Sequence, residues 1–223
     1  MCRSASPPDS GTGILFDVYT LDHFAVDDAQ ALEFVKNIRA ADLVIATADG
    51  LLATFLPLLF EPSGGPQGSL CGHLARPNDQ WRSAPLGEAM VITHGPSFYV
   101  SPSWYPSKAE HGRVVPTWNY ATAHVYGELK IHDDAEWVEA LVRRLTSTYE
   151  SPRIAPWSVD DAPKDFIAGQ LRAIVGIEIV ISRVEAKFKM SQNRPEADID
   201  GVILGLTEEG DQTAAQAVAQ LRP

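Results

Sequence analysis

Isoleucine recurs at 177, 179 and 181, with Glu178, Val180 and Ser182 between them. A period of two marks a β-strand with one buried face, and the pattern predicts a strand over residues 174–188. Other strands accompany it. Residues 43–47 read as one, Asp49-Gly50 as a hairpin turn, and residues 51–60 as the return strand. A turn over 62–68 leads to strands over 69–75 and 88–94. Gly95-Pro96 is expected to break the chain before a short run at 98–101, and residues 114–131 are long and β-rich. Several short strands at hairpin spacing predict an antiparallel sheet curled into a barrel.

Helices punctuate these strands. Asp27 with Gln30 forms a capping-box pattern, and Leu32 and Val35 share the face behind it. Asp133 or Asp134 caps a helix carrying Trp137, Leu141, Leu145 and Tyr149, which Pro152 and Pro156 end. Ser158 with Asp161 reads as a second capping box. Residues 163–171 read as a short helix, in which Phe166, Ile167 and Leu171 are expected to be buried. Asn193 and Pro195 start a core helix with Ile199, Val202, Ile203 and Leu206 inward. Residues 207–223, rich in Ala and Gln, form a helical tail, and residues 1–18 an N-terminal extension. One α+β domain over 19–206 lies between them.

The chain has 223 residues with 45% hydrophobic side chains, enough for one real core. No apolar run reaches the roughly 18 residues of a membrane span, so no membrane role is expected. The formal net charge is -11, which disfavours a broad grip on phosphate backbone and makes DNA a disfavoured partner. Cys2 and Cys71 stand far apart, so neither a disulfide framework nor a zinc site is indicated. With no secretion signal, a cytoplasmic location is the default.

Residues 97–120 hold Phe98, Tyr99, Trp104, Tyr105, Trp118 and Tyr120 around three prolines, with Lys108, Glu110, His111, Arg113 and Asn119 among them. Proline stops regular pairing, so the segment reads as a shaped loop whose aromatics suit a flat anionic ligand. A packed crossover loop is the plainer explanation. Common motifs are missing. No G-x-G-x-x-G follows a strand; Gly64, Gly65 and Gly68 mark a turn. There is no phosphate-binding G-x-x-x-x-G-K-[ST] and no G-x-S-x-G elbow. Six histidines show no H-x-x-x-H spacing, so no metal is expected. Asp160-Asp161 reads as a helix cap. What remains is three groups of cationic and amide side chains: residues 72–78 with Gln80-Trp81, residues 108–113, and residues 187–194. A flavin mononucleotide needs cations for its phosphate, amides for its ribityl chain and an apolar slot for its ring. Together the segments supply each type, although any one alone reads as solvated charge at a loop end.

Several longer motifs resemble the PaiB family: H-F-A-V-D-D (23–28), L-L-A-T-F-L-P-L-L (51–59), G-H-L-A-R-P-N (72–78), Y-V-S-P-S-W-Y-P-S-K (99–108), V-P-T-W-N-Y (115–120), F-I-A-G-Q-L-R-A-I-V-G (166–176) and K-M-S-Q-N-R (189–194). The likeness runs in order from about residue 19 to 206. Two departures stand out. The family's proline before His23 is missing, and Asn78 is followed by Asp79 where relatives often have Pro.

The resemblance implies an antiparallel six-stranded split β-barrel of Greek key type with flanking helices. It also implies a homodimer with FMN sites at the subunit interface. It places Leu52, Ala53 and Thr54 beside the ring. His73, Ala75, Arg76 and Asn78 fall in the segment that meets the ribityl phosphate. Lys189, Ser191, Gln192 and Arg194 fall in the late-strand motif that reaches a flavin, and Trp104, Lys108, Trp118 and Asn119 line the open face. The implied function is an FMN-binding negative transcriptional regulator, indirect or linked to a ligand or redox state. A flavin oxidoreductase using NAD(P)H is one alternative. A haem-binding split barrel with His94, His111 or His124 as axial ligand is another.

Overall fold

Asp27 caps the first helix, α1 (Asp28–Lys36), in the computed structural model, which describes residues 19–222. Its carboxylate accepts from the Gln30 N–H at 2.7 Å while Gln30 Oε1 accepts from the Asp27 N–H at 3.3 Å. That reciprocal pair satisfies two donors the helix leaves open. Ala31 and Val35 form its buried face, with Leu32 at the margin. The expected extension over 1–18 lies outside the described residues.

Six strands follow: β1 (Ala40–Thr47), β2 (Gly50–Glu61), β3 (Ser69–Ala75), β4 (Ala89–Val100), β5 (Thr117–His132) and β6 (Ile174–Lys189). All neighbours are antiparallel, in the order β1-β2-β3-β6-β5-β4, and β4 closes onto β1. The meander β4-β5-β6 returns beside β3, a Greek key connection. Leu43, Ile45, Leu58, Leu70, Val91, Val125, Ile177 and Ile179 fill the interior. The expected mixed α+β class and antiparallel barrel are both present.

The strand limits carry corrections. Gly95-Pro96 does not break the chain. It sits in a bulge between His94 and Ser97, and β4 keeps pairing with β5 on both sides. A bulge leaves one residue off the ladder, which accommodates a proline without an N–H. Residues 97–100 and 117–120 therefore belong to strands, and the loop between them is shorter than the aromatic run suggests. It contains a 3-10 turn at Pro102–Trp104 and the short helix α2 (Ser107–His111). The β1–β2 turn also shifts by one: Thr47 pairs with Gly50, so Ala48 and Asp49 turn and Gly50 enters β2 at φ 119°.

Asp134 caps α3 (Ala135–Glu150), accepting from the Trp137 N–H at 2.8 Å. Val138 and Leu141 are buried there, whereas Tyr149 is exposed. Trp137 stacks on the His132 ring and closes on β6 where Gly176 leaves room; a Cβ there would meet the indole at 2.3 Å. The expected burial along α4 (Lys164–Arg172) fails: the helix has no buried residue, and Phe166 is 57% exposed. Its apolar stripe has little of the molecule opposite it. Beyond β6, α5 (Glu196–Glu208) and α6 (Gln212–Gln220) build a second core on the barrel end. There Ile199, Val202, Leu206, Ala215 and Val218 meet Phe98, Val100, Tyr105, Ala121 and Met190. No helix among the described residues is long and apolar enough to cross a membrane.

Candidate functional site

The residues singled out from sequence separate into three places. At the barrel mouth, the loop after β3 crosses the open end. Asn78 Nδ2 donates to Thr54 Oγ1 at 3.0 Å, and Thr54 Oγ1 donates to Gln80 Oε1 at 2.5 Å. Gln80 Nε2 reaches the carbonyls of Leu43 (3.1 Å) and Leu52 (3.4 Å). This buried glutamine thus ties β1, β2 and the loop into one frame. Leu52 and Thr54 face inward with it, while Ala53 between them faces out, as strand alternation requires.

Along β3, His73 is partly buried, and burial pushes its imidazole below the ordinary histidine range. Ala75 is exposed at the strand end. Arg76 is engaged by the protein itself. Its guanidinium forms a two-pronged pair with Asp133 (2.6 and 3.1 Å) and donates to the carbonyls of Arg172 (2.7 Å) and Ile174 (3.1 Å). It therefore joins the ends of β3, β5 and α4.

The third group lies around the end of β6. Asn119 and Ser191 are buried and bonded to each other at 2.9 Å. Gln192 folds back, accepting from Met190 N and donating to the Phe188 carbonyl, both at 2.6 Å. Trp104 packs beneath α5, where Gly201 and Gly205 give its backbone and indole room. Lys108 is exposed and donates to Ser103 Oγ at 3.2 Å. Asn119, Ser191, Gln192 and Trp104 support the α5 end of the barrel, whereas Lys108 stands on the surface of its loop.

Trp118, Lys189 and Arg194 differ. Trp118 is 53% exposed and its Nε1 donates to Ser97 Oγ at 2.8 Å, which fixes the indole beside Tyr99 at a ring separation of 6.3 Å. Lys189 donates to Thr117 Oγ1 and the Trp118 carbonyl. Its ammonium is held below the ordinary lysine range, chiefly by burial and further by the positive charges of Lys187 and Arg194. Arg194 lies over the Tyr105 ring at 4.7 Å. Lys187 stands between the rings of Tyr19 (5.7 Å) and Tyr120 (5.6 Å) and donates to the Tyr19 carbonyl at 3.1 Å. Among the described residues no ion pair engages any of these three cations. In a chain of net charge -11 that is a local surplus of positive charge beside exposed aromatic rings.

Among the three histidines considered for haem, His111 turns back on its own loop, its Nδ1 accepting from the Arg113 N–H at 3.0 Å. His94 and His124 lie on the outer face of β4 and β5. Among the described residues no group of three His, Cys, Asp or Glu side chains is placed to hold a metal.

Residues 18–183 match the family described as "Putative FMN-binding domain". Over 201 residues the chain is 33% identical to Protease synthase and sporulation protein PAI 2 of Bacillus subtilis, covering 89% of this chain and 94% of that one. The chain belongs to the PaiB family. An uncharacterized protein of Emericella nidulans is 35% identical over 181 residues, 69% of this chain and 72% of that one. Among solved structures, the FAD and Heme binding protein of Mycobacterium smegmatis aligns with a TM-score of 0.53 at 12% identity, over 80% of each chain. A conserved hypothetical protein of Mycobacterium tuberculosis gives 0.52 at 12% identity, over 80% of this chain and 95% of that one. At such identity the likeness shows the fold alone, a split barrel.

Within this PaiB-family chain, Gln80 and Lys187 lie in the segments read as cationic and amide groups and Tyr120 in the aromatic run, but their contacts were not legible there: Gln80 bonds Thr54 and the Leu43 and Leu52 carbonyls, and the Lys187 ammonium stands over the Tyr120 ring. Strand period carries the signal for Lys187 and Tyr120: Trp118 and Tyr120 on β5, like Lys187 and Lys189 on β6, share the outward parity.

Proposed function

We propose that the chain binds FMN on the outer face of its sheet, as a homodimer, and acts as a negative transcriptional regulator that does not itself grip DNA. The crowded cations at the end of β6 carry the flavin part. A phosphate dianion would relieve the mutual repulsion among Lys187, Lys189 and Arg194 and take up their free donors. Trp118, Tyr99 and Tyr120 offer flat apolar surface for the isoalloxazine within the same patch. When bound, FMN would supply redox chemistry; these residues would bind and orient it. Leu51 (74% exposed) and Phe55 (69%) on the same sheet leave an apolar margin suited to a second copy. The regulatory part rests on the family, and the net charge favours an indirect route. A cytoplasmic setting goes with that reading.

The test is a flavin titration of the purified protein. Added FMN should shift its visible band and quench its fluorescence, and Lys189→Ala should weaken the binding. No spectral change at high protein concentration would overturn the flavin reading. A retarded operator band in a low-salt mobility-shift assay would overturn the indirect route.

A further inference from the structure

Three features that work against folding converge on the turn carrying the chain from β6 into α5. Ser191, at φ 70°, is the only non-glycine residue at positive φ among the described residues. Asn119 is fully buried, yet its Oδ1 has no hydrogen-bond partner among them. The hydroxyl of Tyr105, a residue 2% exposed, is likewise unpartnered, and among the described residues no other buried side-chain oxygen or nitrogen is. The Tyr105 ring is the seat of Arg194, 4.7 Å away. A left-handed serine and a buried acceptor left unsatisfied each oppose stability. Packing alone would favour glycine at 191 and an apolar side chain at 119. Such features gather where a fold holds a shape for a ligand.

The two ends of this turn are fixed separately. Gln192 accepts from the Met190 N–H and donates to the Phe188 carbonyl, both at 2.6 Å, which ties the turn to β6. On α5 the buried Asp198 accepts from the Ser107 N–H at 3.1 Å and the Ser107 hydroxyl at 2.7 Å, which ties the helix to α2. Between them, Ser191 reaches across to β5 through its bond with Asn119. Asn119 lies between Trp118 and Tyr120, whose side chains take the outward parity, and Tyr120 pairs with Lys189 across the ladder. Lys189 enters the turn and Arg194 leaves it. The Asn119–Ser191 bond therefore sets the spacing between an aromatic platform on β5 and the cations on either side of Ser191.

We propose that Asn119 and Ser191 are positioning residues for the phosphate end of the flavin: they hold Lys189 and Arg194 at a fixed reach from the Trp118–Tyr120 platform, and the site thereby selects FMN over the same ring without phosphate. The inference rests on the flavin reading above and adds the origin of its selectivity. Neither side chain has to touch the ligand. With the serine hydroxyl gone, glycine at 191 could keep φ 70° but could equally take right-handed or extended backbone. The two cations would then spread over several arrangements, and a single dianion would have to order them on binding.

Fluorescence titrations of the full chain with FMN and with riboflavin, on wild type, Ser191→Gly and Ser191→Ala, test this. Wild type should bind FMN about tenfold or more tighter than riboflavin, the scale of one hydrogen bond to a charged group. Ser191→Gly should lose about tenfold in FMN affinity and none for riboflavin. It should also melt close to wild type, since glycine relieves the left-handed backbone. Ser191→Ala keeps that strain, so it should lose FMN affinity alike and melt lower. A wild type that binds neither flavin overturns the flavin reading itself. A wild type that binds the two equally overturns the positioning role alone, as does a Ser191→Gly that keeps the full preference for FMN. Equal weakening of both flavins in Ser191→Gly makes the turn a structural element only and overturns that role too.

Discussion

Asn119 on β5 donates from Nδ2 to Oγ of Ser191, which sits just beyond β6 at φ 70°. The bond holds a non-glycine residue in the left-handed region, where side chains crowd the backbone. Replacing Asn119 with Ala would leave the Ser191 hydroxyl buried without this partner and open a small cavity. We expect Asn119→Ala to lower the unfolding free energy by about 2–3 kcal/mol. Urea unfolding with an unchanged slope and a lower midpoint would show it.

Helix propensity and packing oppose each other at Gly205. Alanine is favoured over glycine inside a helix by about 1 kcal/mol. A Cβ at Gly205, however, would stand 2.5 Å from the Trp104 indole. Overpacking should win, so Gly205→Ala is expected to destabilise by about 1–3 kcal/mol. At Gly169 on α4 the nearest atom is the far end of Arg172, 3.9 Å away, so the same swap should stabilise. Paired thermal melts, followed by circular dichroism, would show the two shifts with opposite signs.

The two arginine-bearing regions separate by affinity. Lys189→Ala should raise the FMN dissociation constant about ten- to hundred-fold, the range for a hydrogen bond to a charged group. Arg76→Ala should leave FMN affinity close to wild type and lower the melting temperature, because Arg76 holds Asp133 and two carbonyls. Isothermal titration on both variants would decide; the reverse pattern would place the phosphate at the end of β3.

Acid should weaken the fold. Burial depresses the imidazoles of His73 and His124, so the unfolded chain takes up protons that the folded chain resists. Their contribution is fully present above the ordinary histidine value, about 6.5, and is lost progressively as pH falls through the depressed folded values. The urea midpoint should therefore fall between about pH 7.5 and about pH 5.5, and His73→Asn should shrink that fall.

Much of this fold was legible because local rules agree with it. The β6 alternation, the span of β3 and both capping boxes follow from strand period and cap chemistry. The bulge at Gly95-Pro96 was not, since only the facing β5 keeps β4 continuous there. The exposure of α4 was not legible either: periodic apolar residues say which face could be covered, not what covers it. Among the candidate residues, Trp118 and Asn119 were assigned to one open face although adjacent strand residues point opposite ways. Parity alone sends Asn119 inward and keeps Trp118 out. The Arg76–Asp133 pair spans 57 residues of sequence, and no short motif announces it.

The cylinder has a seam. Three register pairs join β1 to β4, from Asp42↔Ile92 to Val44↔Met90, whereas thirteen join β5 to β6. Unzipping there needs the fewest broken rungs, so amide hydrogens along residues 42–44 should exchange ahead of the β5–β6 ladder. Once parted, the first hairpin swings free on β3, and what was an edgeless wall becomes an open sheet with two raw borders.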